Sequence, residues 1–298
     1  MKKERNNMLI KGRESERYMG YLFLLPLMLF LGVFIFYPTV ATVCYSFTRW
    51  NGVKPPVWVG VQNFQRLLKD RIFWQAFKNN ITLALYIPIW LFVPLIIAAL
   101  LQEEIRGWRF FKLVYFFPNI LSPVIVGVLF GIILRLDGPV NAILEALGAG
   151  GLVREWLGGI TTVLPTVSFT MLWCMFGFGT IVFLAGLATV PESYYDAAKI
   201  DGAGWWQRLW YITLPCLRAV IEFWLVLCVI TVFARMFSII YVMTRGGPGY
   251  ASYVLEFNIY MKAFRYLRMG YSCMLSTVLL LIILVVAVTQ VWLMSKER

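Results

Sequence analysis

The groups in this chain with chemistry to offer sit within long apolar runs, where a polar side chain is costly unless it has something to bind. Asn119 and Ser122 stand on one run, Trp173 on another, and Thr231, Arg235 and Tyr241 on a third. Amide, hydroxyl and guanidinium donors beside aromatic faces suit noncovalent recognition of a polar solute. They do not suit bond-breaking chemistry. The chain has no histidine, and Cys44, Cys174, Cys216, Cys228 and Cys273 are irregularly spaced with no CxxC pair. Neither a zinc site, a disulfide framework nor a nucleophile and base cluster is indicated. No GxxxxGK[ST] loop occurs, so the chain has no evident cradle for nucleotide phosphates and is expected not to be an enzyme.

Each candidate also has a plainer reading. Arg235 can contact substrate, pair with another helix or subunit, or snorkel toward an interface. Trp173 can meet a ligand or pack against neighbours. Asn119 and Ser122 are flanked by Pro118 and Pro123, which interrupt helical hydrogen bonding and so either line a cavity or kink a packed helix. Gly127 and Gly131 form a GxxxG pair that favours close helix approach.

The elements that must position these residues follow from composition. With 60% hydrophobic and 14% charged residues, the chain is built for lipid. Runs long enough to cross about 30 Å of hydrocarbon extend from Tyr18 to Thr48, Asn79 to Gln102, Leu113 to Leu134, Leu157 to Val190, Phe223 to Thr244 and Met269 to Ser295. Backbone groups in lipid must be satisfied within the segment, so these are expected to be helices, giving an all-α polytopic membrane protein of six transmembrane helices. The first run is too long for a signal peptide and is expected to remain as an anchor.

Lysines and arginines divide almost evenly between the two sets of loops. The segment 1–17 decides the orientation, since it carries Lys2, Lys3, Arg5, Lys11, Arg13 and Arg17 and is expected to be cytoplasmic. Both termini then lie inside, with 18–298 forming one transmembrane domain. The net charge of +12 is read as attraction to anionic membrane lipid, with no nucleic-acid motif to support another partner. Between spans, Phe64, Leu67, Leu68 and Ile72, with Lys69, Asp70 and Arg71 among them, predict one amphipathic surface helix. VNAILEALGAGG, within the gap from Arg135 to Trp156, predicts another. Glu222 is expected to begin the fifth span, where a carboxylate suits the helix dipole.

One polar island remains, Pro191 to Leu217, reading PESYYDAAKIDGAGWWQRLWYITLPCL. Pro191 suits a helix start, Ala197 and Ala198 give a small face, and Gly202 permits a break before a tryptophan-rich helix. This is expected to be a cytoplasmic helix–turn–helix loop. Its order resembles the EAA coupling loop of permease subunits in ATP-binding-cassette importers, on Asp196-Ala197-Ala198, Asp201-Gly202-Ala203, Ile212 and Leu214-Pro215, with Asp196 where the family has Glu. Tyr37-Pro38, WVGVQNF, GPVNAIL and Trp156-Leu157 resemble the carbohydrate-uptake branch. Thr244-Arg245-Gly246-Gly247-Pro248, followed by Ile259-Tyr260 and Ala263-Phe264, is similar to the TGGGP exit turn of one of the two permease types in maltose-type importers. Arg245 stands where that family has a small residue.

The resemblance implies half of a translocation pathway for a sugar or oligosaccharide, in a bacterial or archaeal inner membrane. It implies a second permease, two ATP-binding-cassette ATPase subunits and an extracytoplasmic solute-binding protein. The chain itself would bind no cofactor, ATP and Mg being used by the ATPase partners. Coupling would rest on Asp196 and Asp201 meeting basic groups, on the close approach allowed by Ala197, Ala198, Gly202 and Ala203, and on Trp205, Trp206 and Leu209 tying the second helix to the membrane core. Two other readings stay open. A stand-alone secondary transporter for a polar solute predicts paired intramembrane carboxylates or an inverted repeat. An importer of glycerol phosphate esters or acidic oligosaccharides would look much the same.

Overall fold

A computed structural model describes residues 21–102, 114–115 and 117–296. The segment 1–17 and the start of the third predicted span therefore lie outside the described residues. The regular structure of the described residues is helical, apart from a two-residue pairing of β1 (Thr48–Arg49) with β2 (Val57–Trp58).

Four helices are long and apolar enough to cross a membrane, among the described residues. These are α1 (Tyr21–Ser46), the joined pair α3 (Arg71–Ala84) and α4 (Ile87–Gln102), α7 (Val163–Leu187), and α13 (Met269–Lys296). A fifth candidate is bent by 78° where α9 (Trp205–Cys216) meets α10 (Arg218–Ala234). The third predicted run contributes the shorter α5 (Pro123–Ile133). Its 11 residues are too few to span about 30 Å at 1.5 Å per residue.

The single amphipathic helix expected around residues 64–72 is two. α2 (Gln62–Leu68) ends at Lys69, and Asp70 then caps α3, its Oδ1 accepting from the backbone N–H groups of Ile72 at 3.0 Å and Phe73 at 3.4 Å. An aspartate in extended conformation suits an N-cap better than a helix interior, which explains the split. The second surface helix does form, as α6 (Pro139–Ala146), with Asn141 buried beneath it and accepting from Trp156 Nε1 at 2.9 Å.

The core lies where α4, α7 and α10 cross. Trp90 and Trp224 are fully buried there, with Trp224 Nε1 donating to the Trp90 carbonyl at 3.0 Å and Trp90 Nε1 donating to Ser168 Oγ at 3.1 Å. Gly179 makes this crossing possible, because a Cβ on it would come within 2.5 Å of Trp224 and 2.9 Å of Pro94. The GxxxG pair behaves unequally. Gly127 packs against Val242, whereas a Cβ on Gly131 would meet nothing within 4 Å.

The fifth predicted span, Phe223 to Thr244, is broken. α10 starts at Arg218 and stops at Arg235, and α11 (Phe237–Met243) begins after it. Glu222 is thus one turn inside α10 rather than at its start, paired with Arg218 at 2.9 Å. The break frees backbone groups that lipid cannot satisfy. Asn80 Nδ2 donates to the Val232 carbonyl at 2.6 Å, and Asn80 Oδ1 accepts from Leu255 N at 3.0 Å, where α12 (Leu255–Tyr260) begins. Neighbouring Asn79 donates to the Tyr250 and Tyr253 carbonyls at 2.9 Å each. Glu256 Oε2 accepts from the N–H groups of Met236 at 2.8 Å and Phe237 at 2.9 Å.

At the start of α13, Tyr271 Oη donates to Asp70 Oδ2 at 2.8 Å and Lys262 Nζ lies 3.4 Å from the same oxygen. Burial pushes the Asp70 carboxyl up, but Tyr271, Lys262 and the two backbone donors together outweigh it and hold it below its ordinary value of 3.8.

Two measurements follow from these contacts. Asn80→Leu strands two buried backbone groups, each costing about 1–3 kcal/mol. It should lower the thermal midpoint in detergent clearly, whereas Thr82→Val, losing only a bond to Lys78 of its own helix, should not. Equal midpoints for the two variants would refute the assigned role of Asn80. For Asp70 the depressed carboxyl stabilises the fold fully above 3.8, and that contribution is lost as pH falls through the folded value. Wild type should therefore lose stability on acidification below 3.8 more steeply than Asp70→Asn, a difference that parallel melts across pH would detect.

Candidate functional site

Two places on the chain combine accessibility with specific chemistry. The first is a cavity of about 680 Å³ bounded by α5, α7, α10, α11 and the short segment before α5. Its wall includes Cys174 and Met175, which lie halfway along α7 and so place the cavity near mid-depth. Asn119, Thr231 and Arg235 line it, together with Ser238, Glu256 and the rings of Phe178, Phe223 and Phe237. Asn119, Phe223 and Arg235 are exposed, so the cavity is open on one side of this chain.

Three of the six residues singled out from sequence thus share one wall. The break between α10 and α11 is what turns Arg235 onto it. The other three lie elsewhere. Ser122 is the N-cap of α5, its Oγ accepting from Val124 N at 3.3 Å, so the Pro118 to Pro123 kink serves a helix start. Trp173 packs on Phe130 with ring centroids 5.2 Å apart. Tyr241 stacks among Phe237 and Tyr260, each 5.5 Å away.

Glu256 is the residue that sequence reasoning missed. Its signal was present, since it is the only acidic residue between Glu222 and Glu297. Its location between two apolar spans hid the fact that the chain folds it back against the break.

The second place is the polar island. α8 (Glu192–Ile200) and α9 are joined by a tight turn at Gly202, whose φ of +77° is the left-handed conformation glycine adopts without strain. Gly202 N–H donates to the Lys199 carbonyl at 3.0 Å and Ala203 N–H to the Ala198 carbonyl at 2.8 Å, the hydrogen-bond pair that closes a helix C-terminus. α8 buries no residue, and Ile200 is 86% exposed. Asp196 pairs with Lys199 at 3.1 Å, while Ala197, Asp201 and Gly202 are exposed on the same protrusion and Ala198 and Ala203 are half-buried.

Of the residues expected to tie α9 down, Leu209 is buried but Trp206 is 61% exposed. Trp205 is half-buried, and Tyr195 Oη, within 3.1 Å of Thr213 Oγ1, adds a further inward tether. From Leu217 the chain turns by 78° into α10, whose far end carries Thr231 and leads into Arg235 on the cavity wall. One helix therefore joins the exposed protrusion to the cavity.

A second cavity, about 930 Å³, sits at the Asp70 end of the α3 and α4 pair, whereas the polar island adjoins Gln102 at the opposite end. Its wall carries Arg49, Lys54, Arg66 and Arg268 besides the Asp70 and Lys262 pair.

Comparison with known proteins identifies the family. Residues 67–298 match the family described as "Binding-protein-dependent transport system inner membrane component". A probable ABC transporter permease protein, YurN of Bacillus subtilis, is 34% identical over 93% of this chain and 96% of its own length. The lactose transport system permease LacF of Rhizobium radiobacter is 31% identical, covering 94% of each chain, and the multiple sugar-binding transport system permease MsmF of Streptococcus mutans is 32% identical over 94% of this chain and 96% of its own. A subunit of a bacterial ABC transporter involved in import of the acidic polysaccharide alginate has the same fold, with a TM-score of 0.84 at 23% identity over 96% of this chain and 98% of that one. The chain belongs to the family of binding-protein-dependent transport system inner membrane components.

Proposed function

We propose that this chain is one of two permease subunits of an ATP-driven importer, forming half of the pathway for a sugar or oligosaccharide. The observation that carries this reading is the one-sided cavity at mid-depth, joined through α10 to an exposed helix–turn–helix, in a chain that belongs to a binding-protein-dependent permease family. A cavity open on one side calls for a second permease to close it. The relatives named for lactose and multiple-sugar transport support a carbohydrate cargo. Hydroxyl, amide and guanidinium groups beside phenyl rings suit the polar edges and apolar faces of a sugar.

In this reading the chain crosses the inner membrane six times with both termini cytoplasmic, the third crossing completed by residues preceding α5. The 191–217 loop enters a cleft of a cytosolic ATPase subunit, Ile200 supplying exposed apolar surface and Asp196 and Asp201 the charge. ATP is hydrolysed there with Mg, not on this chain. The solute-binding protein delivers cargo at the opposite face, where Arg49, Lys54, Arg66 and Arg268 gather. Alternating access then consists of the two permeases rocking about the shared cavity, with α10 carrying displacement of α8 to Thr231 and Arg235.

Purification in mild detergent from the native host should recover a second permease and a P-loop ATPase, with ATPase activity raised by the solute-binding protein loaded with a sugar. A chain that purifies alone and transports without ATP after reconstitution is a secondary transporter instead. Gly202→Val tests the coupling loop. The added side chain meets no neighbour within 4 Å, so its cost is local strain of about 1–3 kcal/mol and a bulkier docking surface. ATP hydrolysis should persist while uptake falls at least about tenfold, a loss of 1.4 kcal/mol in coupling. Wild-type uptake in that variant would sink the docking role.

A further inference from the structure

Arg235 and Glu256 face the same cavity, yet they are in different electrostatic situations. The Glu256 carboxylate is committed to the backbone, accepting from Met236 N at 2.8 Å and Phe237 N at 2.9 Å, where the partial positive charge of two free amides offsets its own. Arg235 has no ion pair among the described residues. It is the only cation on that wall, where the polar side chains besides the committed Glu256 are the neutral Asn119, Thr231 and Ser238. Its backbone closes the end of α10, donating to the Thr231 carbonyl at 3.1 Å, so the side chain starts from an anchored position.

A guanidinium near mid-depth, on the wall of a cavity and without an ion pair among the described residues, is placed to meet an anion that arrives from elsewhere. Snorkelling is poorly served, because Cys174 and Met175 on the same wall lie halfway along α7. The planar fork of arginine fits an oxyanion bidentately, which neutral hydroxyls do not demand.

We infer that Arg235 is a specificity-determining residue that reads an oxyanion on the cargo, so that the imported sugar is acidic, carrying a carboxylate or a phosphate. This rests on the importer reading above. The apolar faces of Phe178, Phe223 and Phe237 would then hold the ring while Arg235 selects its charged substituent. Glu256 holds Arg235's end of the break in place and is a positioning residue.

The test uses the complete importer, both permeases, the ATPase and the solute-binding protein, in proteoliposomes loaded with ATP. The probes are trigalacturonate, its methyl-esterified neutral counterpart, glucose 6-phosphate and maltotriose. Wild type should carry an acidic probe in preference to the neutral ones. Arg235→Gln should lower uptake of that probe by roughly 30-fold or more, the effect of removing one partner from a desolvated charge pair. Arg235→Lys, which keeps the charge but not the fork, should fall between. Recovery of the second permease on purification should be unchanged in both variants, which separates substrate recognition from a folding or assembly defect. Efficient uptake of maltotriose, undiminished in Arg235→Gln, would overturn the inference while leaving the importer reading intact. Loss of the second permease from Arg235→Gln would overturn it in favour of subunit pairing. Failure of every probe to enter under ATP, with no stimulation of hydrolysis, counts against the importer reading itself.

Discussion

The structure depends on the rule that hydrocarbon offers no hydrogen bonds, so every backbone group freed by a break must be answered from within the protein. The break between α10 and α11 is the place where that rule bites hardest. Val232 offers a carbonyl that Asn80 takes, and Met236 and Phe237 offer amides that Glu256 takes. Two polar side chains, from elements 152 and 20 residues away in sequence, thus make an interrupted helix tolerable. The same device recurs at the edges of the fold. Asn63 donates to the Ser46 and Thr48 carbonyls, and Asn141 to those of Leu136 and Arg154. Buried asparagine, with two donors and one acceptor oxygen, takes this part at Asn63, Asn79, Asn80 and Asn141.

Close packing supplies the second constraint. Gly179 and Gly186 lie on one face of α7, and a Cβ on either would press into α10 or its start, against Trp224 in one case and Val220 and Leu217 in the other. α7 and α10 therefore approach more nearly than side chains would allow, and α10 is held along its length. Leu217 bends it into the polar loop at one end and Arg235 ends it at the cavity, so one continuous helix links the two places. Tyr195 and Thr213 join the two halves of the loop by a side-chain hydrogen bond between α8 and α9.

Much of this was legible in the chain. The apolar runs, the helix–turn–helix with its glycine turn, and the surface helix near Asn141 are local features written in hydropathy and in single glycine and proline positions. The exit turn and coupling-loop residues carried the family. Asn119, Thr231 and Arg235 were found because polar groups in apolar runs announce themselves. Asp70 was misread as part of a helix face because its cap geometry depends on backbone conformation, which alternation of polar and apolar residues does not encode. Asn79 and Asn80 read as the start of a span, and nothing local says that their amides reach across to Val232, Tyr250 and Tyr253.

By itself, then, the sequence determined the solvent, the helical class, the loop that must face water and the family to which the chain belongs, because each depends on residues close together along the chain. Tertiary structure alone decided which polar residues share a wall, that Glu256 returns to seal the break beside Arg235, and that Ser122, Trp173 and Tyr241 serve caps and packing instead. The physical reason is range. Hydropathy and turn propensity act over a few residues, whereas a hydrogen bond between positions 80 and 232 exists only after the helices have packed.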